Sequence, residues 1–383
     1  NPAAWAPQSV GITSVSQKNR KYQKAQNLHK DISKDPLKQV TPSHLLQVRK
    51  WLHRFRNVCP GKYEIIEELG AGGMSTIYRA KQTPMNRLIT LKVLSPMLVQ
   101  DAKFPGRFER EIRVISRLDH PHIETIHDFG EADGRMYIAS QYLGGGSMAQ
   151  RLQQAGKLDL TDILEPIRQI AEALDYAHSQ NVVHRNVKPD NILFDEAGNA
   201  YLSDFEIAYV SDDVITSETI VGSPAYSAPE QLFSQKIDHR TDIYAFGVTV
   251  FELVTGGLPF QADNPMSLAM MQMQEPVPSA TKRNPQLPAN IDEIFKKVMA
   301  KDPDDRYTTA SKFVNALAQL KVPSRDKGRV KGILRQWKNE PAQSSISHEA
   351  PPIPTRRIFI SYRKLDKDVV HPMANRLKEK DRK

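Results

Sequence analysis

The 383-residue chain predicts an α+β fold in which strands come first and helices follow. Residues 63–94 read as strands around a Gly-rich turn, and Leu160 to His178 repeats apolar side chains at helical spacing. The most apolar run, Ile243 to Val254, is too short for a bilayer and is interrupted by Glu252, so it predicts a buried helix.

Composition sets the frame around these elements. A hydrophobic fraction of 39% and a charged fraction of 25% are those of a soluble globular protein. The single Cys59 permits no internal disulfide, which suits a reducing cytoplasm, and no signal peptide or membrane span is visible. The net charge of +9 is unevenly spread: residues 1–60 hold 11 Lys and Arg against 2 Asp and Glu, residues 321–383 hold 17 against 7, and residues 61–320 are net acidic. Such basic flanks can meet an anionic membrane surface, another acidic surface or the acidic middle of the same chain, or simply be solvated. Without interleaved aromatic platforms they argue against nucleic acid.

In chain order, residues 1 to about 40 are polar and aperiodic. Thr41-Pro42 then signals a helix start, and Leu45, Val48, Leu52 and Phe55 continue at helical spacing with Arg49, Lys50, Arg54 and Arg56 on other faces. The prediction is a basic amphipathic helix over 42–56 within a 1–60 extension, docked on the next domain or free for a membrane or partner. Tyr63 to Leu69 and Thr76 to Ala80 predict two strands around Gly70-Ala71-Gly72-Gly73-Met74-Ser75. Ile89 to Leu94 predicts a third strand, Phe108 to Leu118 a helix with Ile112, Ile115 and Leu118 inward, and Tyr137 to Leu143 another strand. Met266, Met270, Met271 and Met273 predict core or groove packing in a short helix.

The functional signal lies in order and spacing. His184-Arg185-Asn186-Val187-Lys188-Pro189-Asp190-Asn191 is followed by Tyr201-Leu202-Ser203-Asp204-Phe205-Glu206 and by Ala228-Pro229-Glu230. With the glycine turn, Lys92 and Glu111, this set resembles the eukaryotic-type protein kinases, above all the bacterial Ser/Thr branch. The resemblance covers about 63–320 and implies a two-lobed fold, with a small, mostly β lobe over 61–143 and a larger helical lobe over 144–320.

It also implies ATP and Mg²⁺ as cofactors and a protein hydroxyl as substrate. Leu69, Gly70, Gly72, Gly73, Ile77, Thr90, Lys92, Ser140, Gln141, Leu143 and Leu193 would form the nucleotide site, with Lys92 on the phosphates and Leu193 under the base. Glu111, or alternatively Glu109, would pair with Lys92, and Asn191 and Asp204 would hold the metal. Ser140 stands at the position whose size controls access behind the base, so bulky ligands should fit. Lys188 would lie beside the transferred group. Thr216, Ser217, Thr219 and Ser223 are the activation-segment hydroxyls, and Arg185 is the residue that would pair with a phosphate there. Asp242 would bond catalytic-loop backbone, and Glu230 would pair with Arg306.

Two residues depart from the pattern. Asn186 stands where the family has its base Asp, and an amide cannot take a proton; Glu206 replaces the metal-loop Gly. The expectation is therefore a pseudokinase-like domain with impaired transfer, or alternatively a slow Ser/Thr kinase. After a linker over 321–355, Arg357 to Arg363 with Asp366 and Val369 to Leu377 resembles the start of a Toll/interleukin-receptor (TIR) domain over 356–383, an effector for which the kinase-like part would be regulator or scaffold. The chain begins at Asn rather than Met and stops inside that motif, so it reads as a piece of a longer protein.

Overall fold

The computed structural model describes residues 62–71, 75–95, 104–132, 134–206, 224–232, 237–262 and 264–321. The expected helix over 42–56, Gly72, Gly73, the four activation-segment hydroxyls, nearly all of the linker and the TIR-like start lie outside the described residues. The chain divides into two compact units, 1–64 and 65–383, and the fold below is that of the second.

Strands β1 (Tyr63–Ala71), β2 (Ser75–Gln82), β3 (Arg87–Leu94), β4 (Ile126–Ala132) and β5 (Arg135–Gln141) form one sheet in the order β1-β2-β3-β5-β4. Alternation along β3 decides its two faces: Ile89, Leu91 and Val93 are buried, while Thr90 and Lys92 point the other way. Helix α1 (Phe104–Ile115) lays Phe104, Phe108 and Ile112 into a small cluster with Leu94, Met136 and Ile138.

A helical lobe follows, comprising among the described residues α2 (Met148–Ala155), α3 (Leu160–Ser179), α4 (Pro229–Leu232), α5 (His239–Thr255), α6 (Pro265–Gln274), α7 (Ala280–Arg283), α8 (Ile291–Val298) and α9 (Ala310–Ala318). A two-stranded ribbon, β6 (Ile192–Phe194) and β7 (Ala200–Leu202), lies between α3 and α4 in sequence. One large core joins Ile163, Ile167, Ile170 and Leu174 of α3 to Ile243, Phe246 and Val250 of α5 and to Phe313 of α9. Asp175 of α3 accepts from the N–H groups of Ala310 and Ser311, satisfying two otherwise orphaned donors at the start of α9.

Two features reach into this core with polar groups. Glu230 and Arg306, each 3% exposed, form a bidentate pair at 2.6 and 2.9 Å. The carbonyls of Ala300, Arg240 and Lys301 take the remaining guanidinium N–H groups, so all five donors are used. Two of the four methionines differ from expectation: Met266 and Met270 of α6 are exposed while Met271 and Met273 are half-buried, and the innermost residues of that helix are Leu268, Ala269 and Gln272. Gln272 turns inward because its amide donates to the carbonyl of Ala225, which no methionine could do.

Candidate active site

Cross-strand register gathers the upper wall of a cavity of about 490 Å³. Ile77 pairs with Lys92 on β2 and β3, Lys92 with Ile138 and Thr90 with Ser140 on β3 and β5, and Ser140 with Ile126 on β4. Directly paired residues share a face of a sheet, so these six side chains line one surface, and all of them line the cavity. Leu69, at the end of β1, joins them. The floor comes from the helical lobe through Leu193, Ser203, Asp204 and Phe205, and the connecting edge from Tyr142, Leu143, Gly144 and Gly146.

That edge is held by backbone. Gly145 N donates to Phe194 O at 2.8 Å and Phe194 N to Gly146 O at 2.9 Å. A Cβ on Gly145 would stand 2.2 Å from the carbonyl oxygen of Asp195, so only glycine allows this approach.

The loop beneath the cavity is organised by Asp242 of α5, which is fully buried. Its Oδ2 accepts from His184 N and its Oδ1 from Arg185 N, both at 2.7 Å, and His178 Nε2 lies 2.7 Å from Oδ2. Burial works to raise this carboxyl, but His178 and these hydrogen bonds outweigh it and hold it below the usual range. The two amides also brace Arg185 in the left-handed region at φ 64, a conformation that costs a non-glycine residue roughly 1 kcal/mol or more. His184 is buried and donates from Nε2 to Ser203 O at 2.9 Å while its Nδ1 accepts from Asn186 N at 3.2 Å, which fits a neutral ring. Burial indeed lowers its pKa.

The neighbouring loop is stitched to this one. Ser203 N donates to Asn191 O, Glu206 N to His184 O, and Asn191 Nδ2 to Asn186 O at 2.7 Å. Asp204 is the second left-handed residue, at φ 59, and that turn aims its carboxylate at the sheet: Lys92 Nζ donates to Oδ1 at 2.6 Å. Burial works to raise Asp204, yet Lys92, with His184 and Lys188 behind it, keeps it below the ordinary value.

Among the expected site residues, Leu69, Ile77, Thr90, Lys92, Ser140, Leu143, Leu193 and Asp204 line one cavity. Asn191 is buried just behind Asp204, and Asn186 and Lys188 are half-buried on the loop below. Gly70 and Gln141 are outside the lining, which Tyr142 joins. Glu109 is spent on Arg113 at the surface, 2.5 Å away, which leaves Glu111 as the half-buried carboxylate of α1. Its charge reaches Glu206.

Two carboxyls behave unlike surface groups. Glu206 is pushed up to about 7, first by burial and then by Glu111 and Asp242, although Arg185 works against this. Among the described residues Arg185 Nε is buried with no hydrogen-bond partner. Glu124, which sequence reasoning passed over, lies between Ile123 and Ile126 and lines the cavity behind Ser140. Ser140 Oγ donates to its Oε1 at 2.6 Å, and burial next to Asp204 pushes it up to about 7. The space behind the small Ser140 is therefore walled by a carboxyl rather than open to bulk of any kind.

A β-sheet lobe over a helical lobe, with a lysine and an aspartate meeting in the cleft between them, defines the class of two-lobed phosphotransferase folds. Comparison with known proteins narrows it. Residues 63–317 match the protein kinase domain family, and the chain belongs to that family, in its bacterial Ser/Thr branch. It is 38% identical to the serine/threonine-protein kinase PrkC of Bacillus subtilis over 252 residues, 65% of this chain and 39% of that one. To the serine/threonine-protein kinase PknD of Mycobacterium tuberculosis it is 35% identical over 295 residues, 75% of this chain and 44% of that one. The crystal structure of the Mycobacterium tuberculosis PknI kinase domain superposes with a TM-score of 0.56 at 31% identity, over 67% of this chain and 95% of that one. The chain spans less than half the length of these curated relatives. No helix among the described residues is long and apolar enough to cross a membrane.

Proposed function

We propose that the chain is an ATP- and Mg²⁺-binding Ser/Thr protein-kinase-type domain whose phosphoryl transfer is impaired, and that it regulates or scaffolds a TIR-like effector in the cytoplasm. The observation that carries this is the 2.6 Å contact of Lys92 with Asp204 inside the cleft, above a loop whose base position is Asn186. Lys92 is the cation for nucleotide phosphates. Asp204 and Asn191 would hold the metal: the Asn191 amide N–H is already spent on Asn186 O, which leaves its oxygen as the free end. Held there, a divalent cation would supply positive charge against the negative charge of the nucleotide phosphates. Lys188 would lie beside the transferred group, and a phosphate on Thr216, Ser217, Thr219 or Ser223 would find Arg185.

The chemistry stops at the proton. Asn186 can orient an acceptor hydroxyl but not deprotonate it, and a positioned general base contributes ~10²–10⁴-fold. Against ordinary kinase turnover of roughly 1–100 s⁻¹, what remains is on the order of 10⁻⁴ to 1 s⁻¹. The second reading, a slow Ser/Thr kinase acting on protein hydroxyls by positioning and electrostatics, is favoured by relatives that are named as kinases.

ATP titration followed by timed autophosphorylation separates the two. Binding without phosphate incorporation above a Lys92→Met control supports impaired transfer, and steady incorporation supports the slow kinase. Asn186→Asp combined with Glu206→Gly should raise incorporation by ~10²-fold or more if the base and loop are the defects. No magnesium-dependent heat with ATP would sink the nucleotide reading itself.

A further inference from the structure

Glu124 has no part in the chemistry proposed above, yet it occupies a wall of the same cavity. Its position follows from two anchors. Glu124 N donates to Leu202 O at 3.0 Å and Gln141 N donates to Thr125 O at 2.9 Å, which fixes the backbone between β7 and β5 and turns the side chain under Ser140. Ile115, Ile126, Ile138 and Phe205 are among the apolar side chains that line the same cavity. Ser140 Oγ satisfies Oε1. Among the described residues Oε2 accepts no hydrogen bond, and the side chain keeps part of its surface open to the cavity. A carboxyl has room for about four donors and here has one. The charged groups that face it are Lys92, which is engaged by Asp204, and Asp204 itself.

We propose that Glu124 makes the rear of this cavity a specificity subsite for a ligand that carries an N–H donor, best an ammonium, on the edge of the base facing Ser140. The inference rests on the cavity holding an adenine nucleotide. It refines the expectation drawn from the small Ser140: the recess admits added groups, but discriminates by chemistry as well as by size. An alkyl group placed there strands Oε2 without solvent or partner, whereas an ammonium gives it a charge-assisted hydrogen bond.

The test is calorimetric titration of the whole chain with Mg²⁺ and ATP, N6-(2-aminoethyl)-ATP or N6-propyl-ATP, the latter two being matched in length. The wild type should bind the aminoethyl compound roughly tenfold or more tightly than the propyl compound at pH 8. Glu124→Val should abolish or reverse the ratio, and Glu124→Gln, which keeps an acceptor oxygen but no charge, should fall between. Equal binding of the two compounds by the wild type overturns the inference, as does a ratio unchanged in the valine variant. If that variant does not fold, a wild-type ratio in Glu124→Gln overturns it. Failure of ATP itself to bind brings down the nucleotide reading and this inference together, a result distinct from ATP binding without discrimination.

Discussion

Glu206 gives the sharpest test of the energetics at the site. Its folded pKa is pushed from 4.5 to about 7 by burial, Glu111 and Asp242. A carboxyl raised on folding binds its proton more tightly in the native state, so it costs nothing where both states are protonated. The cost grows as pH rises from about 4.5 and levels off above about 7, where both states are ionised. A shift of this size corresponds to about 3 kcal/mol at the plateau, taking 1.36 kcal/mol per unit. Glu206→Gln removes the charge and keeps the shape. Denaturant unfolding of wild type and variant in parallel should show the variant more stable by under about 1 kcal/mol at pH 5 and by about 3 kcal/mol at pH 8, or several degrees in Tm. Taking the difference cancels the titrating groups that Glu206 does not touch electrostatically, Glu124 included. A difference that stays flat across that range would refute the assignment of a strained, partner-poor carboxylate two residues beyond Asp204.

Three further outcomes follow from the same geometry. Asp242→Asn should set an amide N–H against the N–H of His184 or Arg185 and cost about 2–4 kcal/mol at neutral pH. Because the Asp242 pKa is depressed, its contribution is present above the unfolded value of 3.8 and lost as pH falls through the folded value, so the gap between wild type and variant should narrow in acid melts. Glu230→Ala should cost about 3–5 kcal/mol by chemical denaturation, since it leaves the Arg306 guanidinium buried without its carboxylate; a loss below 1 kcal/mol would mean water reaches that pair. Gly145→Val should weaken ATP binding at least tenfold, read by calorimetry, because the added carbons collide with the Asp195 carbonyl and push apart the edge of the cleft; unchanged affinity would show that the edge does not contact nucleotide.

Much of this site was legible because it is written in local pattern. The alternation of Ile89, Leu91 and Val93 with Thr90 and Lys92 puts the lysine on the opposite face from those three buried residues whatever the rest of the chain does, and the period of α3 fixes its buried stripe likewise. The order of the residues from His184 to Glu206 carried the resemblance, and the structure joins the two loops that hold them by backbone hydrogen bonds. What local pattern carries poorly is the direction of a polar residue. Glu124 reads in the sequence as one acidic residue between apolar neighbours, and only pairing of its segment with β5 and β7 turns it into the cavity. Met270 and Gln272 are similar in helix propensity, and it is the Ala225 carbonyl, distant in sequence, that selects Gln272 for the interior.

By itself, then, the sequence determined the order of strands and helices, the kinase family and the amide at Asn186, since each is a property of residue type and spacing. Glu230 and Arg306 meet as the resemblance implied, but the tertiary structure alone decided which charges meet in and around the cleft. Lys92 faces Asp204, Glu206 lies among Glu111, Asp242 and Arg185, and Glu124 closes the rear of the cleft, because electrostatic partners are chosen by distances that only the folded backbone sets.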